Sequence, residues 1–204
     1  MSAEIQAVTF DVGGTLIEPF PSVGHVYAEV AGRHGHSVSP DVLNERFRAA
    51  WKAKRNFRHS RADWAALVRA TFGEADCDAF FDELYNRFAA PDAWRVFDDV
   101  RPALARLKAR GLKLGIISNW DERLRPLLNV LELGQFFDAI VISHEVGSCK
   151  PAPEIFREAV RRLAIPAERT LHVGDSDTED VYGARAAGMK SIIRKAFTVN
   201  FLDK

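Results

Sequence analysis

Three aspartates stand in short polar stretches that follow apolar runs: Asp11 in "FDVGGTL", and Asp175 and Asp180 in "VGDSDTED". A single carboxylate in such a place caps a helix or occupies a turn. Three gathered around one point would repel one another unless a cation lay among them, and a site built of oxygen ligands favours Mg²⁺. Polar residues end two further apolar runs, Ser118 with Asn119 in one and Ser143 in the other. These side chains can act together only if the runs that carry them end at one edge of the fold.

The runs have the form this requires. "IQAVTFD" at the start, "LKLGIIS" (112–118), "FDAIVIS" (137–143), "RTLHVGD" (169–175) and "KSIIR" (190–194) are short, β-rich and largely apolar. That character belongs to strands buried on both faces, whereas a half-exposed strand alternates. Helical patterns separate the later runs. Val100, Leu104 and Leu107 recur at helical spacing and stop at Gly111. Leu124, Leu127, Leu128 and Leu131 mark a second helix, in which Pro126 implies a late start or a kink. Pro153 opens a third, with Ile155, Phe156, Val160 and Leu163. The alternation predicts an α/β fold, a doubly wound parallel sheet with helices on both sides and its ligand crevice at the carboxyl ends of the strands. Asp11, Ser118, Asn119, Ser143, Gly174 and Asp175 all fall at such ends.

Residues 21–95 read as helices without strands. Val23, Val26, Tyr27 and Val30 form one stripe, and Leu43, Phe47 and Trp51 form the next after Ser39-Pro40. Ser60 and Asp63 resemble a capping box ahead of Trp64, Leu67, Val68 and Phe72, and Phe80, Phe81, Leu84, Tyr85 and Phe88 complete a fourth helix. The expected division is a sheet domain of residues 1–17 and 96–204 and a small helical bundle of residues 18–95 with its own core.

With 28 basic and 28 acidic residues the chain has no net charge, which gives no reason to expect nucleic acid or an anionic membrane as a partner. The segment from Arg46 to Arg61 holds seven Lys or Arg and no acid. A solvated helix with cations toward its C-terminal end accounts for it, and attraction of an anionic substrate is the alternative. Cys77 and Cys149 form no metal-ligand pattern, and no segment has the make-up of a signal peptide or a membrane span. Reduced thiols in a cytoplasmic protein are expected.

In order and approximate spacing, "DVGGT", "ISN", "KPAPEIF" and "VGDSDTED" resemble the four motifs of the haloacid dehalogenase (HAD) superfamily of hydrolases. Within it the chain is similar to the haloacid dehalogenase-like hydrolase domain-containing proteins. The resemblance covers nearly all of the sheet domain, and the helical insertion resembles that superfamily's α-helical (C1-type) cap. It implies a Rossmann-like core and Mg²⁺-dependent hydrolysis of small phosphorylated molecules through an aspartyl phosphate. Asp11 matches the nucleophile. Thr15, Ser118 and Lys150 match residues that hold the transferring phosphoryl group, and Asn119 joins this catalytic set within "ISN". Without the resemblance, Lys150 reads as a solvated loop lysine. Asp11, Asp175 and the backbone carbonyl of Gly13 match the Mg²⁺ ligands, with Asp180 supporting the site.

Gly13 departs from the pattern, which has a second aspartate there to protonate the leaving group. Loss of such an acid typically costs ~10²- to 10⁴-fold in rate. Glu18 is the nearest acidic substitute in sequence; Glu179, Asp177 and the histidines His25, His34 and His36 are others. Three further readings stand beside a phosphatase. One is carbon–halogen cleavage, which in this superfamily is metal-free and has an aromatic residue where Gly13 stands. A second is phosphonate cleavage through an imine on Lys52 or Lys54. The third is a non-catalytic binding protein.

Overall fold

The computed structural model describes residues 4–73 and 77–194. The chain begins with strands β1 (Ala7–Phe10) and β2 (Ile17–Pro19), followed by helices α1 (Val23–Arg33), α2 (Pro40–Ala53), α3 (Arg61–Phe72) and α4 (Phe81–Arg87). Strand β3 (Trp94–Val96) and helix α5 (Val100–Ala109) lead to β4 (Lys113–Ser118), α6 (Leu124–Val130), β5 (Ala139–Ile142), α7 (Ser143–Val146) and α8 (Pro153–Leu163). The last part holds β6 (Thr170–Gly174), a π-helical turn (Asp177–Tyr182), α9 (Gly183–Ala186) and β7 (Lys190–Ile193).

Five strands form one sheet in the order β5-β4-β1-β6-β7, and every neighbouring pair is parallel. The predicted α/β class is the observed one. β1 is central and buried along its whole length, as its unbroken apolar character requires. Phe10 is level with Ile116 of β4 and with Val173 of β6, and the Asp11 N–H continues the ladder to the Val173 carbonyl at 2.9 Å. Asp11, Ser118 and Asp175 therefore leave the sheet from the same edge.

Local rules explain the helices. Pro40 and Pro153 open α2 and α8, where an N–H would have no helical partner. Pro126 falls in the first turn of α6, so the helix starts late and loses no internal hydrogen bond. Two expectations need correction. Ser143 starts α7 instead of ending β5, because the strand stops at Ile142 and the next four residues turn helical. Residues 94 and 95, read as part of a strandless region, belong to β3, which pairs with β2 in a separate two-stranded sheet. Strands of three residues are too short to carry a periodic signal.

The chain divides into two compact units, Met1–Ile17 with Val96–Lys204, and Glu18–Arg95. Residues 1–3 and 195–204, assigned above to the sheet domain, lie outside the described part. In the helical unit Tyr27 is the hub: it stacks on Phe72 with ring centroids 5.6 Å apart and meets Phe47 and Phe88 edge-on. Ser60 and Asp63 form the predicted capping box of α3. Among the basic residues from Arg46 to Arg61, Arg55 donates to the carbonyls that end α2, Lys54 lies 3.7 Å over the Trp51 ring, and Arg61 pairs with Asp82 at 2.6 Å. No disulfide joins Cys77 and Cys149. Among the described residues no helix is long and apolar enough to cross a membrane.

Candidate active site

The centre of the site is one oxygen of Asp11. Its Oδ1 accepts from the Ser118 hydroxyl at 2.9 Å and from Lys150 Nζ at 2.6 Å, while Oδ2 accepts no hydrogen bond among the described residues. Lys150 Nζ also donates to Asp180 Oδ1 at 2.6 Å. Only 4 % of Lys150 is exposed, so it is not the solvated loop lysine that its sequence position allows. The lysine reaches Asp11 because its main chain is tied to the end of β4. Asn119 accepts the Lys150 N–H at 2.7 Å and donates to the Lys150 carbonyl at 3.0 Å. Asn119 thus touches the lysine's backbone, not Asp11.

Asp180 comes back toward the sheet through the π-helical turn. Ser176 caps that turn by accepting the Glu179 N–H at 3.1 Å, so the cap is not Asp175, as a bland reading of the motif would have it. Asp180 Oδ2 accepts the Ser176 N–H at 3.0 Å, and Oδ1 takes Lys150 and His172 Nε2, the latter at 3.1 Å. A Cβ on Gly174 would lie 2.1 Å from Asp180 Cγ, so only glycine lets the carboxylate fold back this far. Gly14 has the same duty for Asp175. It holds φ +74°, and a Cβ there would come within 2.4 Å of Asp175 Oδ2. A turn glycine by sequence, Gly14 is also the floor on which the third carboxylate rests.

One oxygen from each of Asp11, Asp175 and Asp180 lies within 4.8 Å of the others. Three carboxylates facing one ammonium carry a formal charge of −2, which complements a divalent cation. The residues present therefore fit such an ion. Burial opposes the charge on Lys150, but Asp11 and Asp180 outweigh it and raise the lysine above its ordinary value. Burial likewise opposes ionisation of Asp180, and Lys150 with His172 overcomes it and holds that carboxyl well below the usual range. Desolvation of its carboxyl, though the residue as a whole is exposed, then the charges of Asp11 and Asp180, push Asp175 up to about 6.

Asp175 gives the site a pH dependence with a definite sign. Its pKa is raised from 3.8 to about 6 on folding, so the folded chain binds more protons between those values and its metal-free stability falls as pH rises through that window. A divalent cation competes with the same proton. The rise in Tm that a bound divalent cation would produce is expected to be full above pH 7 and to shrink as pH falls below 6; an equal rise at pH 5 and pH 7.5 would remove Asp175 from the cation site.

Of the other predicted residues, Thr15 is fully buried and its Oγ1 has no hydrogen-bond partner. Gly13 is half-buried, and a Cβ on it would meet Trp120 Cζ3 at 3.3 Å. Trp120 is held through its backbone by Ser143, which accepts its N–H at 3.0 Å and donates to its carbonyl at 3.1 Å. Four of the six proposed substitute acids have polar partners of their own. Glu18 pairs with Arg95, Glu179 accepts from Asn119 at 3.0 Å, and His25 and His34 bond to Ser22 and Glu83 within the helical unit. Sequence reasoning missed His172 and its partner Thr9. Their signal was present: a polar residue flanked by apolar neighbours inside each of two buried strands.

Residues 5–188 match the haloacid dehalogenase-like hydrolase family. Haloacid dehalogenase-like hydrolase domain-containing protein 3 of Mus musculus is 37% identical over 205 residues, which cover 93% of this chain and 82% of that protein. Two solved structures are each 27% identical. An HAD phosphatase from Thermococcus onnurineus has a TM-score of 0.67 and covers 95% of this chain and 90% of its own. A 2-haloacid dehalogenase from Pseudomonas syringae pv. Tomato DC3000 has a TM-score of 0.64, with 97% and 91% covered. Fold neighbours thus include both chemistries and leave the choice of bond to the residues of the site. From its sequence match, its sheet and its strand-end acids together, the chain belongs to the haloacid dehalogenase-like hydrolase family.

Proposed function

We propose that this protein is a Mg²⁺-dependent phosphatase of small phosphorylated molecules, with the helical unit serving as its cap. The observation that carries the reading is Asp11, a nearly buried carboxylate with Oδ1 bound by Ser118 and Lys150 and Oδ2 left without a protein donor. A nucleophile needs that division, with one oxygen fixing the rotamer and the other keeping its lone pairs. Oδ2 attacks phosphorus as the phosphorus–oxygen ester bond breaks, giving an aspartyl phosphate and an alkoxide. Water then attacks phosphorus, releasing inorganic phosphate and restoring the carboxylate. Lys150 places fixed positive charge beside the equatorial oxygens, and the buried Thr15 hydroxyl gains the acceptor it lacks. Asp11, Asp175 and the Gly13 carbonyl would hold Mg²⁺, with Asp180 supporting them; the ion supplies charge neutralisation for the phosphoryl group.

The alternatives have less support. Carbon–halogen cleavage is metal-free in this superfamily and would leave the site's formal charge of −2 uncompensated beside an anionic haloacid, whereas a bound divalent cation would neutralise it beside a phosphate ester. Lys54 is engaged over Trp51, and Lys52 is exposed on α2, so neither has the desolvated setting of an imine-forming amine. The test is phosphate release from a panel of phosphorylated metabolites and aryl phosphates, with Mg²⁺ and with chelator. Metal-dependent release, faster for aryl and acyl phosphates than for alkyl esters, is expected. Silence across the panel would overturn the phosphatase assignment.

Gly13 and Trp120 make a linked prediction. Without an acid at position 13 the leaving oxygen takes its proton from water, so restoring aspartate should speed alkyl esters most. The indole 3.3 Å from the missing Cβ stands in the way, and Ser143 prevents its backbone from moving aside. Gly13→Asp alone is expected to gain less than about threefold in kcat on alkyl phosphates, and Gly13→Asp/Trp120→Ala at least about tenfold. Equal gains in the single and double variants would show that the indole is no obstacle.

A further inference from the structure

His172 and Thr9 are the polar residues at the middle of the central strands. They are register partners across β1 and β6, and both are fully buried. His172 Nδ1 lies 2.9 Å from Thr9 Oγ1, and Nε2 lies 3.1 Å from Asp180 Oδ1. Phe156 of α8 meets the imidazole edge-on, with ring centroids 5.3 Å apart and planes at 88°. An aliphatic pair would fill this volume without taking polar groups out of water. Packing alone does not account for the pair.

The hydrogens follow from counting donors and acceptors. Asp180 Oδ1 is a carboxylate oxygen that already accepts from Lys150, so Nε2 must carry a hydrogen to bond it. Among the described residues the Thr9 hydroxyl makes no other hydrogen bond, so its own hydrogen is satisfied only by a bare Nδ1. One arrangement leaves nothing unpaired: a neutral imidazole protonated on Nε2. An imidazolium strands the threonine hydrogen, and the other tautomer sets two acceptors face to face at Asp180.

We propose that His172, held by Asp180 and Thr9 as its neutral Nε2–H tautomer, is a positioning residue that fixes Asp180, and through it Lys150, by an uncharged hydrogen bond. Being neutral, the imidazole steadies the carboxylate without adding positive charge to a site that already holds Lys150 and attracts a divalent cation. Without that donor, only the Ser176 N–H opposes a turn of Asp180 toward Lys150 that would draw the ammonium away from Asp11. The rate consequence rests on the phosphatase reading; the tautomer and its effect on cation affinity do not.

The test uses the full chain. ¹⁵N NMR of histidine-labelled protein, with His172 assigned by the signal lost in His172→Gln, is expected to show a protonated Nε2 and a bare Nδ1 at neutral pH. Nδ1–H or imidazolium would overturn the proposal. Calorimetric titration with Mg²⁺ gives the second readout. His172→Gln, whose amide nitrogen reaches near the Nε2 position, is expected to keep affinity within about threefold, whereas His172→Asn and His172→Leu lose about tenfold or more. Equal affinity across the three variants would also overturn it. Where a variant does not fold, wild type and the isosteric Thr9→Val decide: wild type keeps Nδ1 bare, and loss of the hydroxyl lifts the bar to a second hydrogen there and brings imidazolium into the population, while an Nδ1 as bare as in wild type counts against the role of Thr9. The expected tautomer and graded affinities, with no phosphate released from any substrate, would support the proposal and sink the phosphatase reading alone.

Discussion

Asp11→Asn is expected to abolish turnover, by at least about 10³-fold, while leaving Tm unchanged or higher in the presence of a chelator. The two effects share a cause. The amide oxygen of asparagine can keep both hydrogen bonds that Asp11 Oδ1 accepts, from Ser118 and Lys150, so the local geometry survives. The lost charge is one of three carboxylates crowded within 4.8 Å, and its removal relieves Asp175, which Asp11 helps to push up to about 6. The proposed nucleophile and one proposed cation ligand disappear together, so any rise in Tm that Mg²⁺ gives the wild type should shrink as well. The trade of stability for activity is that of a site whose like charges serve the reaction rather than the fold. Phosphate release and a thermal melt on the same preparation check both halves. A variant as active as wild type would exclude Asp11 as nucleophile.

Lys150→Met carries the largest expected effect on folding, about 3–5 kcal/mol of lost stability at neutral pH. Methionine matches the length of the lysine stem but leaves Asp180, 1 % exposed, with its main counter-charge gone. In wild type Asp180 sits below its ordinary pKa, so its pairing contributes stability above about pH 4 that is lost as pH falls through the folded value. In the variant the shift reverses sign, because burial without Lys150 favours the protonated acid. The deficit is therefore expected to narrow between pH 7 and pH 5 in urea denaturation. A deficit that stays constant with pH would mean that lost packing, not an unpaired buried charge, accounts for it.

The class of the fold and the places of its acids could be read along the chain. β1, β4, β5 and β6 announce themselves through runs of buried residues, and α2, α3 and α8 through a proline or a capping box at the first turn. Asp11, Ser118 and Asp175 were placed at strand ends before any register was known. β3 and the helical start at Ser143 were not legible, since three or four residues cannot show a period.

What the sequence by itself determined is local: which segments are strands or helices, and which side chains stand at their ends, because both depend on neighbours a few residues away. Only the tertiary structure decided what those side chains do to one another. Lys150 meets Asp11 across 139 residues, Thr9 meets His172 across 163, and the Trp120 ring fills the space beside Gly13. Strand register and the fold of the loops set these meetings. The difference between a solvated lysine and the buried cation of a carboxylate cluster is a matter of distance and burial, which no periodicity along the chain encodes.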